Sequence, residues 1–185
     1  MAVKTLPARS DLDPRYTWDL SVLYPSEDAY RTDLERFETE ADTLAGYAGR
    51  LGESAANLAE FLELYFGFLA TAQRLRNYAA LPVNVDQHDQ EARRKAGEFQ
   101  SLAARVNQKL AFVRPELLAI GAEEVEAFMR EEPGLARLGR YFERLESLRP
   151  YVRSTEVEAL LSGLSDPFGA VDRAYNSLAN GDIRF

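Results

Sequence analysis

Residues 57–79 read NLAEFLELYFGFLATAQRLRNYA, and apolar side chains recur along them at steps of three and four. That spacing places one apolar stripe on one side of an α-helix, formed by Leu58, Phe61, Tyr65, Phe68, Ala72, Leu75 and Ala79. A second flank at Leu62, Phe66 and Leu69 gives the helix two apolar sides. Ser54 can cap its start, and Pro82 predicts its end. We therefore predict a long central helix that other helices contact from both sides.

Two further long helices with the same spacing lie on either side of this one in the sequence. The first follows a cap at Ser26, with apolar positions at Tyr30, Leu34, Phe37, Ala41, Leu44, Ala48 and Leu51. The third begins at Asp86 or Asp89 and stops at Pro115, which can start another helix. Its apolar positions are Ala92, Ala96, Phe99, Ala103, Val106, Leu110 and Val113. Because the connections are short, we predict an antiparallel bundle within one chain. The mixture of aromatic and alanine positions favours this bundle over the alternative, a coiled-coil association.

Beyond Pro115 the apolar pattern shortens, which predicts helices at about 123–130, across 135–148, at 155–164 and at 169–178. Residues 182–185 are typical of the first steps of an extended segment. The predicted fold class is all-α, an antiparallel bundle of three long helices followed by several shorter helices. The predicted organisation is an N-terminal arm at 1–25, a three-long-helix subdomain at 26–114, a short-helix subdomain at 115–180 and the start of a truncated extended segment at 181–185.

Composition excludes several classes of function. The chain has 30 acidic and 22 basic side chains, a net charge of −8, so its field repels nucleic acid and anionic membrane surfaces. It has no cysteine, which excludes disulfides, thiolate metal sites and cysteine nucleophiles. The first ten residues lack the apolar core of a secretory signal, and no apolar run approaches the ~20 residues that span a bilayer. We expect a folded cytoplasmic protein with neither nucleic acid nor membrane as a partner.

The sequence contains little catalytic chemistry. A helix-borne zinc peptidase site needs two histidines four residues apart with a glutamate between them, and this chain has one histidine, His88, in a polar connection. A run of acids near helix ends is typical of a solvated surface, at Glu123, Glu124, Glu126, Glu131 and Glu132. Neither a Gly-x-Ser-x-Gly elbow nor a phosphate-binding glycine loop occurs. We predict no catalytic, cofactor-binding or metal-binding residue, and no cofactor, in this chain.

Short segments spread along the chain carry a resemblance to a known family. They are Thr17-Trp18-Asp19-Leu20, Leu23-Tyr24-Pro25-Ser26, Asn77-Tyr78-Ala79, Pro115-Glu116-Leu117 and Leu178-Ala179-Asn180-Gly181-Asp182-Ile183-Arg184-Phe185. From about Pro14 to Phe185, the sequence resembles the leading portion of the oligoendopeptidase F family of zinc metallopeptidases. It departs from the family pattern at Tyr151, where a histidine would be expected.

The resemblance implies an all-helical, non-catalytic N-terminal domain that forms one wall of a channel restricting substrates to oligopeptides. The implied parent protein is a zinc metalloendopeptidase whose metal is held by a His-Glu-x-x-His helix and a later glutamate, neither of which this sequence contains. Zinc is thus expected in the full-length parent and not in this chain. The implied partners are the missing C-terminal catalytic portion and, in the full-length enzyme, an oligopeptide substrate.

Two other functions are compatible with the residues. A self-contained helical adaptor would bind another protein's helix through an exposed apolar strip and would end near Phe185. An enzyme that uses carboxylates alone would need two buried acids facing one cleft. At the N-terminus, we interpret Tyr16 and Trp18 as anchors that pin the arm onto the helices, in preference to a platform for ligand stacking.

Overall fold

A computed structural model describes residues 11–179 of the chain. Within that range the backbone forms helices, turns and no strand, so the predicted all-α class is confirmed. The predicted extended segment at 182–185 lies outside the described residues. The helices are α1 Glu27–Ala45, α2 Ala55–Val85, α3 Gln90–Lys109, α4 Val113–Ile120, α5 Ala122–Glu131, α6 Pro133–Ala136, α7 Gly139–Ser147, α8 Thr155–Gly163 and α9 Ser165–Ser177. Short 3₁₀ turns occupy Pro14–Tyr16, Leu20–Val22 and Arg149–Tyr151.

Contacts between the long helices give their directions. In the ion pairs that join α1 to α3, the residue numbers increase together in both helices. The pairs are Glu27 with Lys95, Glu38 with Arg105 and Asp42 with Lys109. Ring contacts joining α1 to α2 run in opposite order, namely Tyr30 with Tyr78 and Phe37 with Phe68. The three long helices therefore form an up-down-up bundle in which α2 is antiparallel to both neighbours. Helix α2 also contacts α5 and α6, which agrees with its predicted central position.

Each of the three long helices begins after a cap residue that was predicted from the sequence. In each case a side-chain oxygen accepts a hydrogen bond from the backbone N–H three residues later. The pairs are Ser26 with Ala29 at 3.2 Å, Ser54 with Asn57 at 3.2 Å and Asp89 with Ala92 at 3.0 Å. Of the two predicted starts for α3, the structure thus selects Asp89.

Two predicted helix ends at prolines were misplaced. Helix α2 continues past Pro82 to Val85, because a proline in the last turn removes one hydrogen bond while the N–H of Asp86 still reaches the Pro82 carbonyl at 3.1 Å. Helix α3 ends at Lys109, before the predicted stop at Pro115. Pro115 lies in the first turn of α4, where a backbone N–H has no partner within the helix, as predicted for a proline that can start another helix.

The short helices follow α4, as predicted, with shifted boundaries. The segment predicted as one helix across 135–148 is divided into α6 and α7, and the N–H of Leu138 closes the turn between them onto the Leu135 carbonyl at 2.8 Å. Leu135, Phe142 and Leu145 are buried, so the apolar spacing identified the correct core positions. Helix α9 begins at Ser165, four residues before its predicted start.

Candidate functional site

The first segment that resembles the family folds as a short arm before α1. Asp19 Oδ1 accepts a hydrogen bond at 2.9 Å from the backbone N–H two residues later and caps the turn Leu20–Val22. Tyr16 and Trp18 are 79% and 72% exposed, so the prediction that they pin the arm onto the helices was wrong. The buried Tyr24 pins it instead, because its position next to α1 lets the ring enter the core.

Tyr24 joins α1 to α2 through a hydrogen-bonded triad. Its hydroxyl donates to Asp33 Oδ2 at 3.0 Å and accepts from Arg74 Nε at 3.1 Å. Arg74 Nη2 also donates to Asp33 Oδ2, and the guanidinium carbon lies 4.9 Å from the centroid of the Tyr24 ring. Burial raises the pKa of the Tyr24 hydroxyl, and the hydrogen bond from Arg74 opposes that effect. The hydroxyl is therefore protonated at neutral pH and can donate to Asp33. The triad therefore holds α1 and α2 together.

Tyr78, from another of these segments, belongs to an aromatic cluster that joins all three long helices. Its ring centroid lies 5.2 Å from that of Tyr24 and 4.9 Å from that of Tyr30. Lys95 Nζ, from α3, lies 5.1 Å from the Tyr78 centroid and pairs with Glu27. An ammonium held against aromatic faces and a carboxylate, with little access to water, stabilises this end of the bundle.

Tyr30 makes the stability of this cluster depend on pH. Burial, with the charge of Glu27 nearby, raises the pKa of Tyr30 from 10.0 to about 12. Below pH 10 both folded and unfolded chains keep the proton, so the stabilisation is complete. Between pH 10 and 12, the Tyr30 hydroxyl loses its proton in the unfolded chain but keeps it in the folded chain. Because deprotonation then favours the unfolded chain, we expect the free energy of unfolding to fall by about 2–3 kcal/mol. Urea unfolding at a series of pH values measures this decrease.

Tyr30→Phe is the control for that prediction. The variant should lose less stability over the same pH interval, while keeping the contribution of Tyr141, whose pKa burial also raises to about 12. Equal decreases in the two proteins would show that Tyr30 is not the group responsible.

Glu116, in another of the family-like segments, links α4 to the connection between α1 and α2 through hydrogen bonds. Its two carboxylate oxygens accept hydrogen bonds from the backbone N–H groups of Gly49 and Leu51, each at 2.9 Å. Gly49 has φ +81°, a left-handed conformation that glycine adopts without steric cost and that helps present both N–H groups to one carboxylate. The neighbouring Leu117 is buried in the core. This segment therefore has a structural role, which is to hold α4 against the α1–α2 connection.

The residues considered for chemistry lie apart from one another. His88 is exposed, and its backbone N–H donates to Asp86 Oδ1 at 2.8 Å. Exposed acids lie on and directly after α5, at Glu123, Glu124, Glu126 and Glu131, and Glu132 caps α6. Across residues 11–179, no group of three or more histidine, aspartate or glutamate side chains is placed to hold a metal ion. These residues do not fit the zinc site that the resemblance implies for the parent protein.

The turn that departs from the family pattern is fastened by arginine. Arg149 Nη2 donates to the backbone carbonyl of Leu118 at 3.0 Å, and the same guanidinium pairs with Glu146. Tyr151, where histidine was expected, is exposed. Position 151 therefore contributes no core contact, whereas Arg149 ties the turn to α4.

Several grooves lie on the surface of the described helices. One of about 390 Å³ runs between α1 and α2, beside the ion pair of Arg36 and Glu40, and includes Gly67. Another of about 260 Å³ lies among α4, α5 and α7 and is lined mainly by apolar side chains such as Met129 and Phe142. His88 lines a third, open groove of about 450 Å³ at the connection between α2 and α3, together with Asn84, Val85, Asp86 and Gln87. The first two grooves can contact a chain passing over them. The carboxylates that line the first groove, Glu40 and Glu63, are half-buried and exposed, so they are not the pair of buried acids that catalysis by carboxylates alone would need.

Sequence reasoning missed an exposed apolar stripe on α8 and α9. Large apolar side chains are exposed at Val157, Leu160, Leu161, Leu164, Phe168, Val171, Tyr175 and Leu178. Their spacing of three and four was visible in the sequence, but spacing alone does not say whether another element covers a helix face. In the described part of the chain, no helix combines the length and apolar character needed to cross a bilayer.

Comparison with known proteins gives consistent matches. The family model described as Oligopeptidase F matches residues 116–185. The chain is 26% identical over 177 residues to the group B oligopeptidase PepB of Streptococcus agalactiae, covering 96% of this chain and 30% of that protein. It is 30% identical over 183 residues to the oligopeptidase PepF of Bacillus subtilis, covering 97% of this chain and 27% of that protein.

A solved structure matches the fold. The crystal structure of oligoendopeptidase-F from Enterococcus faecium superimposes with a TM-score of 0.79 at 22% identity, covering 86% of this chain and 32% of that one. The chain thus spans about 30% of the length of the relatives it matches. The matches extend over nearly the whole chain and confirm the family that the short segments indicated. Along nearly its whole length, this chain is similar to the N-terminal helical portion of the oligoendopeptidase F family.

Proposed function

We propose that this chain is the non-catalytic N-terminal domain of a zinc metalloendopeptidase and forms one wall of the channel that restricts its substrates to oligopeptides. One observation carries the proposal: the chain aligns along 96% and 97% of its length with oligopeptidases more than three times as long. Because residues 11–179 bring no metal-binding group together, the zinc and the hydrolytic residues are assigned to the rest of the protein. We place the whole enzyme in the cytoplasm.

The geometry of the described helices supports a passive, shape-keeping role. A channel wall must hold its form without reacting with the peptide that passes it. Glu116 fixes the α1–α2 connection, and the triad around Tyr24 fixes the opposite end of α1. The groove between α1 and α2 offers polar contacts of both charges to a peptide backbone, without a nucleophile poised beside a base.

Peptide cleavage and metal content test the proposal directly. We expect the protein encoded by the complete source reading frame to cleave a short internally quenched peptide and to leave a folded protein substrate intact. The isolated 185-residue chain should show no turnover and no stoichiometric zinc by elemental analysis, because it lacks the metal ligands. Stoichiometric zinc or chelator-sensitive turnover in the isolated chain would overturn the proposal.

The exposed stripe on α8 and α9 favours a second candidate, the self-contained adaptor. Under that function the source reading frame stops directly after Phe185, and the chain binds an amphipathic helix of another protein without any peptidase activity. Under the proposed function the frame continues to a His-Glu-x-x-His motif. Reading the codons after Phe185 therefore separates the two functions before any assay.

A further inference from the structure

The stripe on α8 and α9 is a single continuous surface. The N–H of Leu164 reaches the Leu160 carbonyl at 3.1 Å, and the N–H of Phe168 reaches the Leu164 carbonyl at 3.1 Å, so helical hydrogen bonding bridges the two helices. The eight exposed apolar residues from Val157 to Leu178 therefore keep helical phase across the junction. At 1.5 Å per residue they extend over about 32 Å, the length of several helical turns in a partner.

The rest of the described chain does not cover this stripe. Helix α8 packs against α3, and α9 packs chiefly against α8. No described side chain of α8 or α9 is fully buried, and Phe168, Val171 and Tyr175 are 67%, 74% and 69% exposed. A contiguous exposed apolar surface of this kind is typical of an interface.

Charge argues against a second copy of this chain as the occupant. Residues 155–178 contain four acids and one arginine, a net charge of −3, within a chain of net charge −8. Of these acids, Glu156 and Asp172 are exposed and Glu158 is half-buried. Two identical copies would bring these acids together, whereas a helix with an apolar face and basic margins would pair with them.

Resting on the proposed function, we propose that the stripe docks an amphipathic helix with basic margins from the remaining portion of the same polypeptide. The relatives carry about 70% of their length outside the matched region, which provides such a segment within the same molecule. The contact is intramolecular. It joins the wall to the catalytic portion along α8 and α9.

Hydroxyl-radical footprinting followed by mass spectrometry tests the covering of the stripe. In the isolated chain we expect Phe168 and Tyr175 to be oxidised at rates typical of exposed aromatic rings. In the protein from the complete reading frame, the same rings should react about tenfold more slowly, as expected on going from 67% and 69% exposure to the few per cent of core residues. The protection should not depend on protein concentration.

Substitutions give a second readout. The double variant Phe168→Ser, Val171→Ser should lower the midpoint of thermal unfolding of the longer protein by several degrees and leave that of the isolated chain unchanged. Ala170→Ser is the matched control, because Ala170 is exposed on α9 and is not a member of the stripe, and it should change neither midpoint.

Three results would overturn the inference. They are unprotected Phe168 and Tyr175 in the longer protein, equal effects of the double variant and its control, and protection in the isolated chain that rises with its concentration, which would identify a second copy as the occupant. Peptide cleavage is scored separately. A longer protein that cleaves peptides with an unprotected stripe refutes this inference alone, and a protected stripe without cleavage refutes the proposed activity alone.

Discussion

Alanine in place of Phe61 will lower the free energy of unfolding by about 3–5 kcal/mol. Phe61 has no exposed surface, and its ring lies against those of Tyr47, Tyr65 and Phe112, with centroid distances of 5.4, 5.5 and 6.4 Å. Truncation removes these contacts and leaves a cavity that the central helix α2 cannot close by shifting, because it is packed from several sides. Urea denaturation followed by circular dichroism measures the loss.

The same substitution at Phe168 is its control. That side chain is 67% exposed, so Phe168→Ala in the isolated chain should change the free energy of unfolding by no more than about 0.5 kcal/mol. Comparable losses at the two positions would mean that the core is not centred on α2.

Replacing Glu116 with alanine is expected to cost about 2–4 kcal/mol, because two charge-assisted hydrogen bonds are lost and the N–H of the buried Leu51 is left without its acceptor. The range allows for the partial exposure of the carboxylate. Thermal and urea unfolding of the isolated chain measure the effect.

Two variants separate the carboxylate contacts from the general loss of a charge. Glu116→Gln keeps one acceptor oxygen and should lose about half as much stability. Glu124→Ala removes an exposed acid from α5 and should have an effect within about 0.5 kcal/mol. If all three variants behave alike, the hydrogen bonds to Gly49 and Leu51 do not stabilise the fold.

The helices and their starts were predictable because local rules determine them. Ser26, Ser54 and Asp89 each cap a helix through their own side chain, and the apolar spacing of α2 identified residues that are buried. Helix ends were less predictable. Pro82 and Pro115 can each be accommodated in a terminal turn, and whether a helix stops there depends on packing that the local sequence does not encode.

The roles of the family-like segments were not predictable from residue types. Glu116 binds N–H groups 65 and 67 residues away, and Tyr24 meets Arg74 across 50 residues. No local spacing rule relates positions so far apart. The exposed stripe on α8 and α9 was missed because a repeating apolar pattern is typical both of a helix face that is buried in the domain and of one that is exposed.

The length of α2 limits how the short helices can move relative to the long ones. Its 31 residues extend about 46 Å and touch the long helices α1 and α3 as well as the short helices α5 and α6. A spine shared by both groups leaves no hinge between them, so neither can swing without bending it. In the proposed peptidase, we therefore expect any gate that opens for substrate to lie in the remaining portion of the protein, while this wall stays fixed.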